Sequence, residues 1–287
     1  MKRVLVTGSS GFVGRHVVPL LAAAGWDVVA VRRTDADLRQ PSEAEALVDR
    51  VRPSHVLHLA WNAQHGEYWT APDNEQWADG TVAMARRFAN AGGRRFVAAG
   101  TCAEYDWTAI DGPCIEDITP LLPRTIYGRA KLRACRGVER AMDEARVSWS
   151  WGRLFFLYGP GEDERRLVPS VIEGLRSGQR ARVSAGTQVR DFLYVADAAA
   201  AFVALLESDL RGPVNIGTGV PVTVRQVVES IAALAGRPDG VDFGAVPMPP
   251  GEPPRLVADV TRLKTTGWRP ATTLADGLAL SAAALDR

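Results

Sequence analysis

The stretch TGSSGFVG, residues 7–14, limits what this chain can fold into more than any other. It spaces Gly8, Gly11 and Gly14 as G-x-x-G-x-x-G between a short apolar run, RVLV, and a stretch of helical periodicity, FVGRHVVPLLAAAG. A tight turn needs the first glycine. Close approach of a pyrophosphate to backbone N–H groups needs the second, and close packing of helix on strand needs the third. The helix N-terminus then presents its partial positive charge to the phosphates. A glycine triplet alone is a weak signal, but here strand, turn and helix occur in the order that dinucleotide binding requires. Pro19 falls inside the helical stretch and is a candidate kink.

The same rhythm continues. DVVAV, HVLHLAW, RRFVAAG and SWSWGRLFFLYG read as strands. SEAEALVDRVR, NEQWADGTVAMARRFANAG and residues 124–145 read as helices between them. Most of the strands are continuous apolar runs, which argues for a parallel sheet covered by helices on both faces. After Gly159 the alternation loosens: LVPSVIEGLRSG, ADAAAAFVALLES and TVRQVVESIAALAG are helical, VRDFLYV and GPVNIGTG extended, and PMPPGEPPRL a loop. The expected fold is α/β, a doubly wound parallel sheet with a smaller C-terminal lobe. Residues 1–160 form the dinucleotide-binding part, with returns near 186–220, and residues 161–287 form most of an interleaved substrate lobe.

Lys and Arg total 34 against 33 Asp and Glu, a net charge of +1. That balance gives no reason to expect a nucleic-acid partner. The three cysteines, Cys102, Cys114 and Cys135, have no metal-ligand spacing and suit a reducing compartment. The apolar run after the basic start is too short for a signal peptide, and none is long enough to span a bilayer. A cytoplasmic protein without a membrane partner is expected.

Arg32 and Arg33 stand at the end of the second strand, where an NAD site usually carries an acid for the ribose 2′-OH. Arginine suits a 2′-phosphate, so NADP(H) is favoured and NAD remains possible; both arginines could instead be solvated surface residues. Asp35 or Asp37 could still reach the adenosine. The chain has only three lysines, Lys2, Lys131 and Lys264. Lys131 stands four residues after Tyr127, on the same helix face. An ammonium there is expected to lower the tyrosine pKa and make it a better general acid. Thr101 ends the fourth strand, at the sheet edge where ligands of open α/β sheets collect. Its hydroxyl can hydrogen-bond a carbonyl or alkoxide oxygen beside the tyrosine. Cys102 reads either as a second acid/base or as small apolar filling. His58 reads as core, and His65, in the aromatic-rich AWNAQHGEYW, as a candidate wall of the substrate pocket. That segment is placed to cover the site.

TGSSGFVG, AAGTCAEY and YGRAK, in this order, resemble the extended short-chain dehydrogenase/reductases, the NAD-dependent epimerase/dehydratase group acting on nucleotide sugars. RLFFLYGPGE, VRDFLYVADAAAAFV, GPVNIGTG and LVADVTRLKTTGWRP agree with it, so the resemblance covers almost the whole chain. It implies a Rossmann domain, a small substrate lobe and a homodimer. It implies cofactor binding by Gly8, Ser10, Gly11, Phe12, Val13 and Gly14, by Leu59, Ala60 and Trp61, and by Asp37 and Leu38 beside the adenine. Tyr127 would be the acid/base, Lys131 its partner on the nicotinamide ribose, and Thr101 the group orienting the sugar oxygen. Arg190, and less strongly Arg255, would meet the substrate diphosphate.

Departures narrow the reading. Dehydratases of the group follow the threonine with Asp and Glu; here Cys102 and Ala103 follow, and Glu104 is displaced by one and expected to point elsewhere. Phe156 stands where the group carries an Asn before its Y-G-P turn, and Trp77 where its long helix carries another. The expected activity is NADPH-dependent reduction of a 4-keto deoxysugar nucleotide. A 4-epimerase with retained NAD is the second reading, and a non-catalytic dinucleotide sensor the third. Sensors on this fold commonly lack the Tyr–Lys pair.

Overall fold

A computed structural model describes residues 2–248 and 251–285. The apolar runs become strands and the amphipathic stretches helices: β1 (Arg3–Thr7), α1 (Gly14–Ala23), β2 (Asp27–Val31), α2 (Pro41–Val51), β3 (His55–His58), α3 (Asn74–Asn90), β4 (Arg95–Thr101), α4 (Ile126–Glu144) and β5 (Ser148–Leu154). Then follow β6 (Phe156–Tyr158), α5 (Leu167–Arg176), β7 (Ala181–Val183), β8 (Val189–Arg190), β9 (Phe192–Tyr194), α6 (Val195–Glu207) and β10 (Gly212–Ile216). The rest is β11 (Val222–Thr223), α7 (Val224–Leu234), β12 (Val241–Phe243), β13 (Arg255–Leu256), α8 (Thr261–Lys264) and α9 (Leu274–Ala284). α1 runs through Pro19 without a break, its ring at the exposed side.

Six strands form one parallel sheet in the order β10-β5-β4-β3-β1-β2. Successive side chains point to opposite faces. Leu5, Phe96 and Ala98 therefore pack under α2, α3 and α4, while Val4, Val6, Val97 and Ala99 pack under α1 and α6. Because β1 pairs with both β2 and β3, the strand order reverses at β1. The crevice at the C-terminal ends of these strands is where such sheets take ligands. Three smaller sheets, β11-β8-β13, β12-β7 and β6-β9, lie in the C-terminal half. A separate apolar core there joins α5, α7 and α9.

Two elements differ from expectation. SWSWGRLFFLYG is not one strand: Phe155 donates to Ile216 O and Phe156 to Asp191 O, so the chain leaves the main sheet at Phe155 and starts β6 beside β9. One unbroken apolar run serves two sheets. PMPPGEPPRL is not all loop, because after its last proline Arg255 and Leu256 regain their N–H groups and pair with β8 as β13; Pro249 and Pro250 of that stretch lie outside the described residues.

Buried polar groups tie the sheet's C-terminal edge. Glu104 is fully buried; its Oε1 accepts from Thr101 N (3.0 Å) and Trp151 Nε1 (2.8 Å), and its Oε2 from Arg153 Nε (2.7 Å). Removing one partner of such a pair leaves an uncompensated buried charge, so R153M is expected to cost about 3–5 kcal/mol in chemical denaturation. E104Q/R153M should recover part of that loss, and strictly additive effects of the two substitutions would refute the coupling.

His58 bridges β1 and α3, with Nδ1 2.8 Å from Thr7 Oγ1 and Nε2 2.9 Å from Thr81 Oγ1. Burial pushes its pKa down to about 3 from 6.5, with the Lys131 charge adding to the effect. The unfolded chain therefore takes up this proton first as pH falls. The stability His58 contributes above pH 6.5 should be lost progressively between pH 6.5 and about 3, at up to about 1.4 kcal/mol per pH unit. Equilibrium unfolding of H58N between pH 6 and 4 should show a correspondingly flatter slope.

Candidate active site

The glycine turn follows β1 at the switch point. Gly8 has φ +68°, and a Cβ there would sit 2.8 Å from Ala60 N. A Cβ on Gly14 would overlap Gly8 O and lie 2.8 Å from Ser9 Cα, so only glycine lets α1 start this close to the strand. A Cβ on Gly11 would meet Gly8 O at 3.1 Å and nothing else within 4 Å, which leaves the turn's outer side open to a ligand. Beside it lies a cavity of about 360 Å³ lined by Gly8, Ser10, Gly11, Arg32, Arg33, Asp37, Leu38, Ala60, Trp61 and Trp77, among others. Phe12, Val13, Gly14 and Leu59 do not line it: Phe12 and Val13 are half-buried at the start of α1, and Leu59 packs against the α1–α6 core. The cavity, the open turn and the helix N-terminus fit a dinucleotide.

Both nearby acids are engaged. Asp35 accepts from Arg32 N at 2.7 Å, and Asp37 holds Arg39 through both carboxylate oxygens (2.9 and 2.8 Å). That guanidinium holds the Asp37 carboxyl below the usual range. Arg32 and Arg33 are exposed on the cavity wall.

Thr101, Tyr127 and Lys131 come together. Thr125 caps α4, its Oγ1 accepting from Gly128 N at 3.0 Å, which puts Tyr127 in the first turn. A Cβ on Gly128 would overlap Ala103 O, so that turn lies directly on the Cys102–Glu104 turn. This contact brings the Tyr127 phenol near Thr101, close enough for that side chain to act on its proton affinity. Thr101 Oγ1 accepts from Ala103 N (3.2 Å). Lys131 is 3% exposed; its Nζ donates to Ala99 O at 2.8 Å and lies 6.0 Å from the centre of the Tyr127 ring.

The charge balance differs from the sequence expectation. Burial pushes the Tyr127 phenol well above its ordinary value of 10, with the nearby Thr101 side chain opposing only in part. Burial also pushes the Lys131 ammonium down to about 7, with Glu104 opposing. Lys131 does not lower Tyr127 here, because its ammonium is directed at Ala99 O and the Trp61 ring.

The segment after β3 closes over the tyrosine. Tyr68, Trp69 and Trp61 stand edge-on to Tyr127 at 4.8, 5.7 and 6.4 Å between ring centres, and Tyr127 N donates to Trp69 O. Trp107 extends this wall against Trp69 at 6.0 Å. Arg166, at the start of α5, brings its positive charge near Tyr68 and lies 3.6 Å from Glu162. None of Tyr68, Trp69, Trp107 or Arg166 was singled out by the sequence; the aromatic density of AWNAQHGEYW was the only signal. His65 is half-buried, and its charged neighbours are Asp163, Arg165 and Arg166.

Cys102 packs with Tyr105, Cys114, Phe155, Leu256, Ala258 and Val260, and burial pushes its thiol far up, so the apolar-filling reading describes it and the acid/base reading does not. Arg190, 1% exposed, lies 5.2 Å from the centre of the Phe156 ring and pairs with Glu252 at 2.6 Å. Arg255 stands on the adjacent strand, opposite Val189, with a buried Nε that has no hydrogen-bond partner. Glu252 is a further residue that sequence reading did not single out.

The sequence profile of the NAD dependent epimerase/dehydratase family matches residues 4–217. The dTDP-6-deoxy-L-talose 4-dehydrogenase (NAD(P)(+)) of Kitasatospora kifunensis is 30% identical over 96% of this chain and 93% of that protein. A UDP-glucose 4-epimerase of Corynebacterium glutamicum is 29% identical over 93% of this chain and 91% of that protein. MoeE5, solved in complex with UDP-glucuronic acid and NAD, superposes with a TM-score of 0.85 at 30% identity, covering 99% of both chains. With a Rossmann sheet, a glycine turn at its switch point and this match over three quarters of its length, the chain belongs to the NAD-dependent epimerase/dehydratase family of extended short-chain dehydrogenase/reductases.

Proposed function

We propose that this protein is an NADPH-dependent reductase of a 4-keto deoxysugar nucleotide. The observation that carries the reading is the convergence of the half-buried Tyr127 phenol, Thr101 at the end of β4 and the Lys131 ammonium 6.0 Å from the Tyr127 ring centre. A reductase needs a proton donor at the oxygen that becomes an alkoxide, and a phenol held above its usual pKa is in the donor form at neutral pH. When bound, the nicotinamide supplies the hydride that forms the new C–H bond. Tyr127 gives its proton to the sugar oxygen while the Thr101 hydroxyl orients that oxygen. Lys131 offers positive charge to the phenolate that Tyr127 becomes. The aromatic segment excludes water from this transfer. In this reading residues 1–160 and the returns near 186–220 hold the cofactor, and the interleaved remainder from 161 holds the substrate. Arg190 and Arg255 meet its diphosphate, Arg190 exchanging Glu252 for it.

Arg32 and Arg33 on the cavity wall, with Asp35 and Asp37 already engaged, support NADPH. The 4-dehydrogenase relative, whose name specifies NAD(P)(+), acts on the same carbon of a deoxysugar nucleotide. A second reading, a 4-epimerase with retained NAD, draws on the UDP-glucose 4-epimerase relative. That enzyme would pass the proton to and from the sugar oxygen through the same Tyr127, so the two readings part at the cofactor: Arg32 and Arg33 on the cavity wall favour NADPH over a retained NAD.

The purified protein should contain no dinucleotide and bind NADPH more tightly than NADH in a fluorescence titration. R32A/R33A should weaken NADPH about ten- to a hundred-fold, the worth of one or two charge-assisted hydrogen bonds, and NADH much less. Tightly retained NAD would instead select the epimerase. Y127F should lower kcat on 4-keto sugar nucleotides by about 10²–10⁴ with NADPH binding unchanged. Unaltered turnover would remove Tyr127 from the chemistry.

A further inference from the structure

Lys131 is an ammonium in an apolar place. Its one hydrogen bond to a carbonyl leaves two of its three N–H donors to be accommodated. Glu104 is the carboxylate whose charge supports it, yet that carboxylate is committed to Arg153 at 2.7 Å. The nearest aromatic group is the indole of Trp61, whose ring centre lies 3.8 Å from Nζ; the rings of Trp151 and Tyr127 are at 5.9 and 6.0 Å. An ammonium at that distance from an indole face is attracted by the ring quadrupole, most strongly when water is absent.

Trp61 is itself held firmly. Its Nε1 donates to Asn74 Oδ1 at 2.8 Å. Asn74 is fully buried and donates in turn to Tyr68 O and Ala71 O at 2.7 and 2.8 Å. The indole also stacks on Trp77 with ring centres 6.2 Å apart and planes 28° from parallel. With its N–H tied away and its ring clamped, Trp61 presents a fixed face to Lys131.

We propose that Trp61 is the positioning residue of Lys131: its indole face holds the ammonium beside Tyr127 and keeps it charged in a dry site. Three other titratable groups face Lys131. Glu104, after β4, favours the charged form; His58, from β3, opposes it when protonated; Tyr127 lies one turn earlier on α4. Burial alone drives the ammonium towards neutrality, and the indole face works against that drive. The effect on turnover rests on the proposed role of Lys131 beside Tyr127; the placement of the ammonium does not.

The test uses the scarcity of lysine. Protein grown with lysine carrying ¹³C at the ε-carbon gives three signals, and K131M identifies that of Lys131 by its loss. In the unaltered protein this signal should titrate near neutral pH. In W61L, which stays apolar but lacks the quadrupole, the midpoint should fall by about 0.5 to 1.5 pH units. W61F should lie between the two. A polyfluorinated tryptophan at position 61 keeps the shape and weakens the negative face; it should lower the midpoint as well, and it decides the matter alone where W61L does not fold. An unchanged midpoint with the fluorinated ring, or a W61F midpoint equal to that of W61L, would overturn the proposal. A lowered midpoint in W61L together with full turnover in K131M would keep the Trp61–Lys131 pairing and instead remove Lys131 from the catalytic reading.

Discussion

The buried carboxylate of Glu104 holds the site together. It accepts from the end of β4 and from two side chains of β5, and its charge acts on Lys131 of α4. By accepting from Thr101 N it bends the chain into the Cys102–Glu104 turn, on which the first turn of α4 rests. Without that turn Thr101 would have no reason to face Tyr127. A buried ion pair is seldom a gain in stability over apolar packing of the same volume. Its value here is geometric: it specifies one conformation at the sheet edge where Thr101, Tyr127 and Lys131 meet. The residue that looked displaced by one in sequence is therefore structural in role, and its displacement puts the carboxylate under the site rather than in it.

Dryness follows from the aromatic segment after β3. Tyr68, Trp69 and Trp61 stand edge-on to Tyr127, and the Trp61 N–H is used elsewhere, on Asn74. Desolvation raises the cost of both the phenolate and the ammonium, so Tyr127 moves up while Lys131 moves down. Tyr127 is thereby kept in its protonated form and Lys131 is brought within reach of its neutral form at neutral pH. Burial sets the protonation of the two groups more than the identity of their charged neighbours does.

The parts legible in sequence are those whose cause is local. Gly8 and Gly14 could be assigned because backbone conformation and close packing exclude every other side chain there. Tyr127 and Lys131 could be paired because four residues on a helix is one turn. The parallel sheet was legible in its apolar runs. Long-range causes were not. The run SWSWGRLFFLYG serves two sheets because Ile216 and Asp191, far along the chain, take its N–H groups. Glu252 pairs with Arg190 across 62 residues, and nothing near either one announces it. The expected lowering of the Tyr127 pKa failed for the same reason: spacing shows which charge is near, whereas burial depends on Tyr68 and Trp69, which arrive from another strand's connection.

The rarity of lysine in this chain has a physical explanation at position 131. An arginine there would bring a planar group with five N–H donors into a space that offers one carbonyl and an aromatic face. Most of those donors would be buried without partners, at a cost of about 1–3 kcal/mol each. A guanidinium also keeps its charge at any working pH, so burial could not tune it. The ammonium is compact enough to sit between Ala99 O and Trp61, and its pKa is free to fall to about 7. In the proposed reading Lys131 then meets a ribose hydroxyl or a developing phenolate, whereas an arginine would bind its surroundings or distort them.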